Sequence, residues 1–297
     1  MTLIPEEYKR AGRITNEVKA LVKTSLRPGM GYYETVQLVE KEIKARGGNP
    51  AFPTGIGVGH VTAHYAPQED DKSVFLESDL IKVDFGVHVD GYIADTAVSV
   101  TFNPDHRPLL EAAERALSAA IETAKKETRT GEIGRAIHGE AARYGFKTIE
   151  NLTGHTLDRY IVHAGKSIPN LYVPGMPILK KGEVFAIEPF VTPGSAAGYV
   201  IDVASQTIFS LIGRKKTGVG ELDSFADMVW DERKTLPFTP SWYVHRIGKA
   251  KLHGVIRQLT QKKIVRAYPT LVEASGRPVA QFEHTAALDE DGLVVLT

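Results

Sequence analysis

Cysteine is absent from all 297 residues. That excludes disulfides, thiolate metal sites and cysteine nucleophiles together, and it suits a reducing compartment. Long apolar runs are missing as well. No stretch of about 18 apolar residues occurs. The opening Met1-Thr2-Leu3-Ile4-Pro5 turns charged at Glu6, too soon for the apolar core of a signal peptide. A soluble, cytoplasmic protein is the expectation. An excess of either charge is also lacking: 36 basic and 36 acidic side chains cancel, so the chain has no broad positive field of the kind a dedicated nucleic-acid binder uses. The usual hydrolase motifs are missing too. There is no H-E-x-x-H helix, and Gly194-Ser195-Ala196-Ala197-Gly198 carries its serine one place too early for a nucleophile elbow. Gly55-Ile56-Gly57-Val58-Gly59 precedes no helical pattern and reads as a flexible loop rather than a phosphate cradle. Asn151-Leu152-Thr153 fits a glycosylation acceptor only as a chance match.

What is present is an ordinary globular composition, 42% hydrophobic and 24% charged, long enough for one large domain or a main domain with a modest insertion. Ala11, Ile14, Val18, Leu21 and Val22 recur with a helical period, so a helix is expected from Glu6 to Leu26, stopped by Arg27-Pro28-Gly29. A second is expected from Tyr33 to Ala45, ending at Gly47-Gly48. The layout then repeats, with helices expected from Leu109 to Lys126, ending near Arg129-Thr130-Gly131, and from Ile133 to Tyr144, ending at Gly145. Setting Ala11 over Ala113 also sets Gly29 over Gly131, which reads as an internal duplication of helix, helix, strands.

Strands follow each helix pair. Leu80 to Val89 leads into Asp90-Gly91, a dipeptide favoured in tight hairpin turns, and Tyr92 to Thr101 runs back. Glu183 to Glu188 and Val279 to Leu288 also read as strands. Helices segregated from antiparallel strands point to an α+β fold. The stretch 225–276 breaks the pattern: Ala250 to Lys263 is helical in period, with Trp230 and Trp242 flanking it. It reads as a helical subdomain inserted between two strands of a main domain made of 1–224 and 277–297.

Acidic and imidazole groups sit inside apolar strand segments. Asp84 lies in Ile81-Lys82-Val83-Asp84-Phe85, Asp95 in Tyr92-Ile93-Ala94-Asp95-Thr96-Ala97-Val98, Glu188 in Val184-Phe185-Ala186-Ile187-Glu188, and Glu283 in Val279-Ala280-Gln281-Phe282-Glu283. An ionised carboxylate there is costly unless paired or metal-bound. Asp84 and Asp95 straddle the Asp90-Gly91 turn and can face one side of a sheet. A lone strand aspartate is usually a hydrogen-bonded structural group. Four such carboxylates, with His155 in Leu152-Thr153-Gly154-His155, make that reading hard to hold jointly. Gathered without cations they would repel and protonate, whereas two divalent ions cancel four negative charges.

These residues meet a family. Lys82-Val83-Asp84 followed by Gly86-Val87-His88-Val89-Asp90-Gly91-Tyr92-Ile93-Ala94-Asp95-Thr96-Ala97 resembles the strand pair of the methionine aminopeptidases of the second type. So do Ala51-Phe52-Pro53-Thr54-Gly55, Ala63-His64-Tyr65, Asn151-Leu152-Thr153-Gly154-His155, Ile161-Val162-His163-Ala164-Gly165-Lys166, Phe185-Ala186-Ile187-Glu188-Pro189-Phe190 and Ala280-Gln281-Phe282-Glu283-His284-Thr285, in the same order. The resemblance spans almost the whole chain. It implies a pita-bread fold, with pseudo-twofold helix-helix-strand halves around an antiparallel sheet. It also implies removal of the initiator methionine by two-metal, hydroxide-mediated hydrolysis of the first peptide bond. The implied metal ligands are Asp84, Asp95, His155, Glu188 and Glu283, with Asp95 and Glu283 bridging two divalent ions (Co, Mn, Fe or Zn). By the same resemblance Glu188 shuttles the proton, and His64 and His163 contact the substrate. Asp90, His88 and His284 lie in the matched blocks without being ligands in the family. Phe52, Val162 and Tyr268 match walls of the methionine pocket. Some members carry a further pocket histidine after the Glu188 block, whereas this chain has none between His163 and His245.

The wide spacing of Glu188 and Glu283 leaves room for the insertion that marks the second type, and the short N-terminus resembles the compact archaeal form. The implied partners are N-termini of nascent polypeptides, met at the ribosome by a monomer, with neither membrane nor nucleic acid as a partner. Two rival readings share some of these features. Proline-specific peptidases share the ligands but normally carry a sizeable domain before the catalytic one. A catalytically dead, nucleic-acid-binding relative would be served by Lys249, Lys251, Arg257, Lys262, Lys263 and Arg266, but such relatives lose ligands that are present here, and a charged helix is usually a solvated face.

Overall fold

A computed structural model describes residues 3–125 and 127–297. The start at Met1-Thr2 and the expected helix end at Lys126 lie outside the described residues. The first half runs α1 (Glu6–Ser25), α2 (Tyr32–Ala45), β1 (Asn49–Pro50), β2 (Gly55–Val58), β3 (Val61–Ala63), β4 (Leu80–Val89) and β5 (Tyr92–Thr101). The second repeats the scheme with α3 (Arg107–Thr123), α4 (Thr130–Arg143), β6 (Phe146–Thr148), β7 (Thr153–Leu157), β8 (Ser167–Pro169), β9 (Val184–Ile187) and β10 (Phe190–Pro193). Then come β11 (Val200–Leu211), the helices α5 (Gly220–Arg233), α6 (Val244–Ile247) and α7 (Lys249–Gln261), β12 (Val265–Glu273), β13 (Ala280–Gln281), β14 (His284–Asp289) and β15 (Gly292–Val295).

The four long helices bury apolar stripes at the spacing their sequences imply. Ala11, Ile14, Val18 and Val22 of α1 pack on β4 and β5, and the alanine-rich face of α3 (Ala112, Ala113, Ala116, Ala120) lies against α4, β10 and β13. Small side chains let those elements approach closely. Helices thus cover strands whose pairings among the described residues are all antiparallel, forming sheets ordered β15-β14-β9-β7-β8, β13-β10-β6 and β11-β12-β3, with β4 flanked by β5 on one edge and by β1 and β2 on the other. This is the α+β, pita-bread arrangement that the resemblance implies.

Four details depart from the sequence reading. Helix α3 ends at Thr123, and Gly131 lies inside the first turn of α4, so it starts a helix instead of ending one. Gly55-Ile56-Gly57-Val58 is not a flexible loop but strand β2, paired residue by residue with Ile81–Asp84. Its glycines leave space where the buried Lys82 crosses, since a Cβ on Gly57 would stand 2.7 Å from the Lys82 Cε. The expected single strand from Val279 to Leu288 is two, β13 and β14, broken at Phe282-Glu283. Finally, the insertion is bounded differently from 225–276. Its helices begin at Gly220, and 265–273 is strand β12, which pairs along β11 and then with β3. The helices hang between two strands of one long hairpin and carry their own core of Phe225, Val229, Phe238, Tyr243, Leu252 and Leu259.

Candidate metal centre and substrate cleft

The Asp90-Gly91 turn sets the first pair of ligand candidates. Asp90 and Gly91 have φ of 50° and 88°, the doubly left-handed turn that matches the twist of a two-residue hairpin. The turn fixes a register in which Asp84 faces Ala97 and Gly86 faces Asp95. Asp84 and Asp95 are then diagonal neighbours on one sheet face. The glycine opposite Asp95 serves packing: a Cβ on Gly86 would stand 2.5 Å from the Phe52 ring, so its absence lets that ring lie over the sheet.

The second half of the fold delivers the rest. On β7, His155 pairs with Ala186 of β9, and Glu188 follows the end of that strand. The break between β13 and β14 turns Glu283 towards β5, where its N–H donates to the Ala97 carbonyl at 3.1 Å. Hydroxyls stitch the two halves here. Thr285 Oγ1 accepts from the Asp95 N–H at 2.7 Å, Thr96 Oγ1 donates to the Glu283 carbonyl at 2.8 Å, and Ser99 Oγ donates to the Gln281 carbonyl at 2.8 Å.

The result is a tight knot of like charges. His155 Nε2 lies 3.5 Å from Glu188 Oε1 and 3.9 Å from Asp95 Oδ2, and ligand atoms of Asp95, His155 and Glu283 all lie within 4.8 Å of one another. Asp95 is 3% and Glu283 2% exposed. Burial pushes the Asp84 carboxyl up to about 7, with the Gln281 amide opposing. Burial, and then the neighbouring carboxylates, hold Asp95, Glu188 and Glu283 well above the usual range. Burial also depresses the imidazoles, His155 to about 3 and His163 to about 4, so both are neutral at pH 7. Asp84 Oδ1, Asp95 Oδ1, His155 Nδ1 and His64 Nδ1 are buried without a hydrogen-bond partner. Buried polar atoms are normally paired, so the unpartnered carboxylate oxygens of Asp84 and Asp95, beside the cluster of Asp95, His155 and Glu283, fit a site that holds a cation. Carboxylates with one imidazole and no thiolate suit first-row divalent metals.

All ten residues singled out from sequence line one cavity of about 240 Å³: Phe52, His64, Asp84, Asp95, His155, Val162, His163, Glu188, Tyr268 and Glu283. His163 stacks at a tilt on His155 with ring centres 4.3 Å apart, and Tyr268 meets His64 edge-on at 5.6 Å. His64 holds a left-handed backbone, φ 63°, a conformation that costs a non-glycine residue roughly 1–2 kcal/mol. The wall without the extra histidine is apolar, with Phe190, Ile208 and Pro237. His88 is a turn residue, its Nδ1 accepting from the Gly91 N–H at 3.2 Å. His284 faces Lys19 and Thr297. Asn151 lines the cavity and bonds both backbone groups of Val200.

Two groups near the cleft escaped the sequence reading. Gln281, fully buried, donates to Glu188 Oε2 at 3.4 Å. Its place inside a matched block was the available signal. Arg233, at the end of α5, is buried and donates to three carbonyls, Pro50 at 2.9 Å, Ala51 at 3.0 Å and Pro237 at 2.9 Å. Its guanidinium lies 4.3 Å from the centre of the Trp242 ring, whose Nε1 donates to the half-buried Glu40 at 2.9 Å. The insertion thereby grips the backbone that leads into Phe52.

Comparison with known proteins agrees with this geometry. The model of metallopeptidase family M24 matches residues 6–220. The chain is 39% identical to a methionine aminopeptidase of Pyrococcus horikoshii over 288 residues, 97% of each chain, and 37% identical to one of Methanothermobacter thermautotrophicus over 295 residues, 98% of each. Among solved structures it resembles a thermophilic Arx1 (TM-score 0.85, 16% identity, 98% of this chain and 90% of that one) and the methionine aminopeptidase of Thermotoga maritima (TM-score 0.70, 23% identity, 99% and 97%). At those identities the structural likeness speaks for the fold.

Proposed function

The chain belongs to metallopeptidase family M24, and on that premise we propose that it removes the initiator methionine from new polypeptides by hydrolysing the first peptide bond. The observation that carries this reading is the knot of four carboxylates, Asp95 and Glu283 buried and Asp84 and Glu188 half-buried, with His155 in a cavity that also has apolar walls. Asp84, Asp95, His155, Glu188 and Glu283 would hold two divalent ions, of Co, Mn, Fe or Zn. Such ions supply Lewis acidity, polarising a carbonyl and lowering the pKa of water towards about 7.

The chain's own groups do the rest. Glu188, which lines the cavity 3.5 Å from His155 and accepts from Gln281, moves a proton to the leaving amine. Neutral His163 and His64 offer ring N–H groups to the oxygen on which charge develops. The carboxylates favour a free α-amine at the inner end of the cleft, which explains cleavage of one N-terminal residue only. Phe52, Val162 and Tyr268 enclose an unbranched apolar side chain. The same reading makes the enzyme a cytoplasmic monomer acting on nascent chains, at the ribosome. The rival nucleic-acid reading gains little support, because Lys249 pairs with Asp70 at 2.6 Å and Lys251 with Glu221 at 2.8 Å. No helix among the described residues is long and apolar enough to cross a membrane.

The test is cleavage of a Met-Ala-type peptide after dialysis against chelator, before and after Mn²⁺ or Co²⁺ is returned. We expect activity to vanish and recover, with metal analysis giving two ions per chain, and formyl-methionyl peptides to stay intact. Undiminished cleavage without metal, or turnover of formylated peptide near the rate of the free one, would contradict the reading.

A further inference from the structure

The catalytic cleft does not end at the substrate's first residue. A second hollow, of about 260 Å³, adjoins it, sharing Val162, His163, Pro237 and Tyr268 as common walls and adding Ile161, Leu211, Ile212 and Arg266. The carboxylates line only the inner cavity, whereas Ile161 and Ile212 are 43% and 46% exposed at the outer rim. A polypeptide whose α-amine lies at the carboxylates can leave past His163 and Tyr268, which line both cavities.

Arg266 stands along that exit. It lies on β12 two residues before Tyr268, in a regular stretch where Arg266 pairs with Ser210 and Tyr268 with Ile208. Residues two apart on a strand point to the same face, about 7 Å from each other. That spacing is two steps of an extended substrate. Arg266 is exposed and has no ion-pair partner among the described residues, and it lines the outer hollow together with His163.

Resting on the aminopeptidase reading, we infer that the outer hollow is a subsite for the residues after the scissile bond, in which Arg266 favours a carboxylate at the third residue. That carboxylate is either the side chain of Asp or Glu or the chain end of a tripeptide. A guanidinium on a half-open strand attracts one sign of charge and repels the other. Each interaction is worth the roughly 0.2–1 kcal/mol of an exposed pair, and salt screens both.

The experiment compares kcat/KM for Met-Ala-Asp-amide, Met-Ala-Lys-amide, Met-Ala-Gly-amide and Met-Ala-Gly with a free end, using the metal-loaded enzyme and its Arg266→Gln and Arg266→Glu variants. We expect wild type to favour the aspartyl over the lysyl peptide by about 3–10-fold at low salt. The ratio should fall towards one in Arg266→Gln, invert in Arg266→Glu, and shrink as salt rises. Preference for the aspartyl peptide marks the side chain as the group read. Preference for the free-ended glycyl peptide over its amide marks the chain end. Equal cleavage of all four by wild type, or the same ratios in all three enzymes, overturns the subsite alone. Failure of wild type to cut any of them overturns the underlying activity instead.

Discussion

Two buried charged regions border the same cleft and are built on opposite principles. Beside Phe52, the Arg233 guanidinium is buried among three backbone carbonyls and an indole face, each placed to receive it. At the cleft floor, four carboxylates crowd one another and leave acceptors unpartnered. Desolvation opposes the charge in both places, lowering the Arg233 pKa to about 10 and raising that of Asp84 to about 7. Only in the first has the protein supplied the opposing dipoles itself. A buried charge that the fold satisfies is architecture, and buried charges that the fold leaves unsatisfied are a request for a ligand.

The contrast can be broken most severely at His155. His155→Ala should keep its circular dichroism spectrum yet lose metal and activity, by more than the roughly 10–100-fold that losing an outer partner of a metal ligand costs. Full turnover by that variant at low metal would remove His155 from the site. A sharper comparison neutralises one charge in each region and measures urea unfolding of the metal-free protein. Arg233→Met strands three carbonyls and should destabilise by about 2–4 kcal/mol, with a raised KM for methionyl peptides as the Phe52 wall loosens. Glu283→Gln relieves repulsion and should stabilise by about 1–3 kcal/mol while abolishing activity. Equal signs for the two changes would erase the distinction.

The smallest effect is on pH. The folded metal-free protein binds protons at Asp84, Asp95, Glu188 and Glu283 more tightly than the unfolded chain does. Its stability from these groups is therefore fully present below the ordinary carboxylate pKa values and is lost as pH rises towards 7 and beyond. Melting with chelator should fall by about 3–6 °C between about pH 5 and about pH 8, and Mn²⁺ should abolish that fall. Identical pH slopes with and without metal would show that the ion does not occupy the carboxylates.

Much of this site was legible because its signal is chemical incongruity. Asp84 and Asp95 interrupt apolar strands, and Asp90-Gly91 between them announces the hairpin whose register puts both on one face. Arg233 gave no such signal. In Asp231-Glu232-Arg233 it reads as the solvated end of a helix, and its partners are backbone carbonyls, which every residue has and no sequence pattern marks. Strand β11 was missed for a related reason. Its first half is largely exposed, without the alternation that betrays a half-buried strand. With β11 unseen, its partner β12 was absorbed into the insertion. Gln281 stood in plain view, but an amide seldom advertises whether it packs or binds.

The stitching of β5 to the 281–285 segment has a consequence for biogenesis. Asp95 and Thr285 are 190 positions apart yet exchange two hydrogen bonds, and Glu283 docks through the same seam. Contacts of such separation carry the largest loop-closure cost and form late. A growing or half-folded chain can hold Asp84 and Asp95 in their hairpin, but Glu283 would join them only once the 281–285 segment docks on β5. On the metallopeptidase reading, a copy in which this segment has not docked would be inert, so hydrolytic power would be confined to the folded chain.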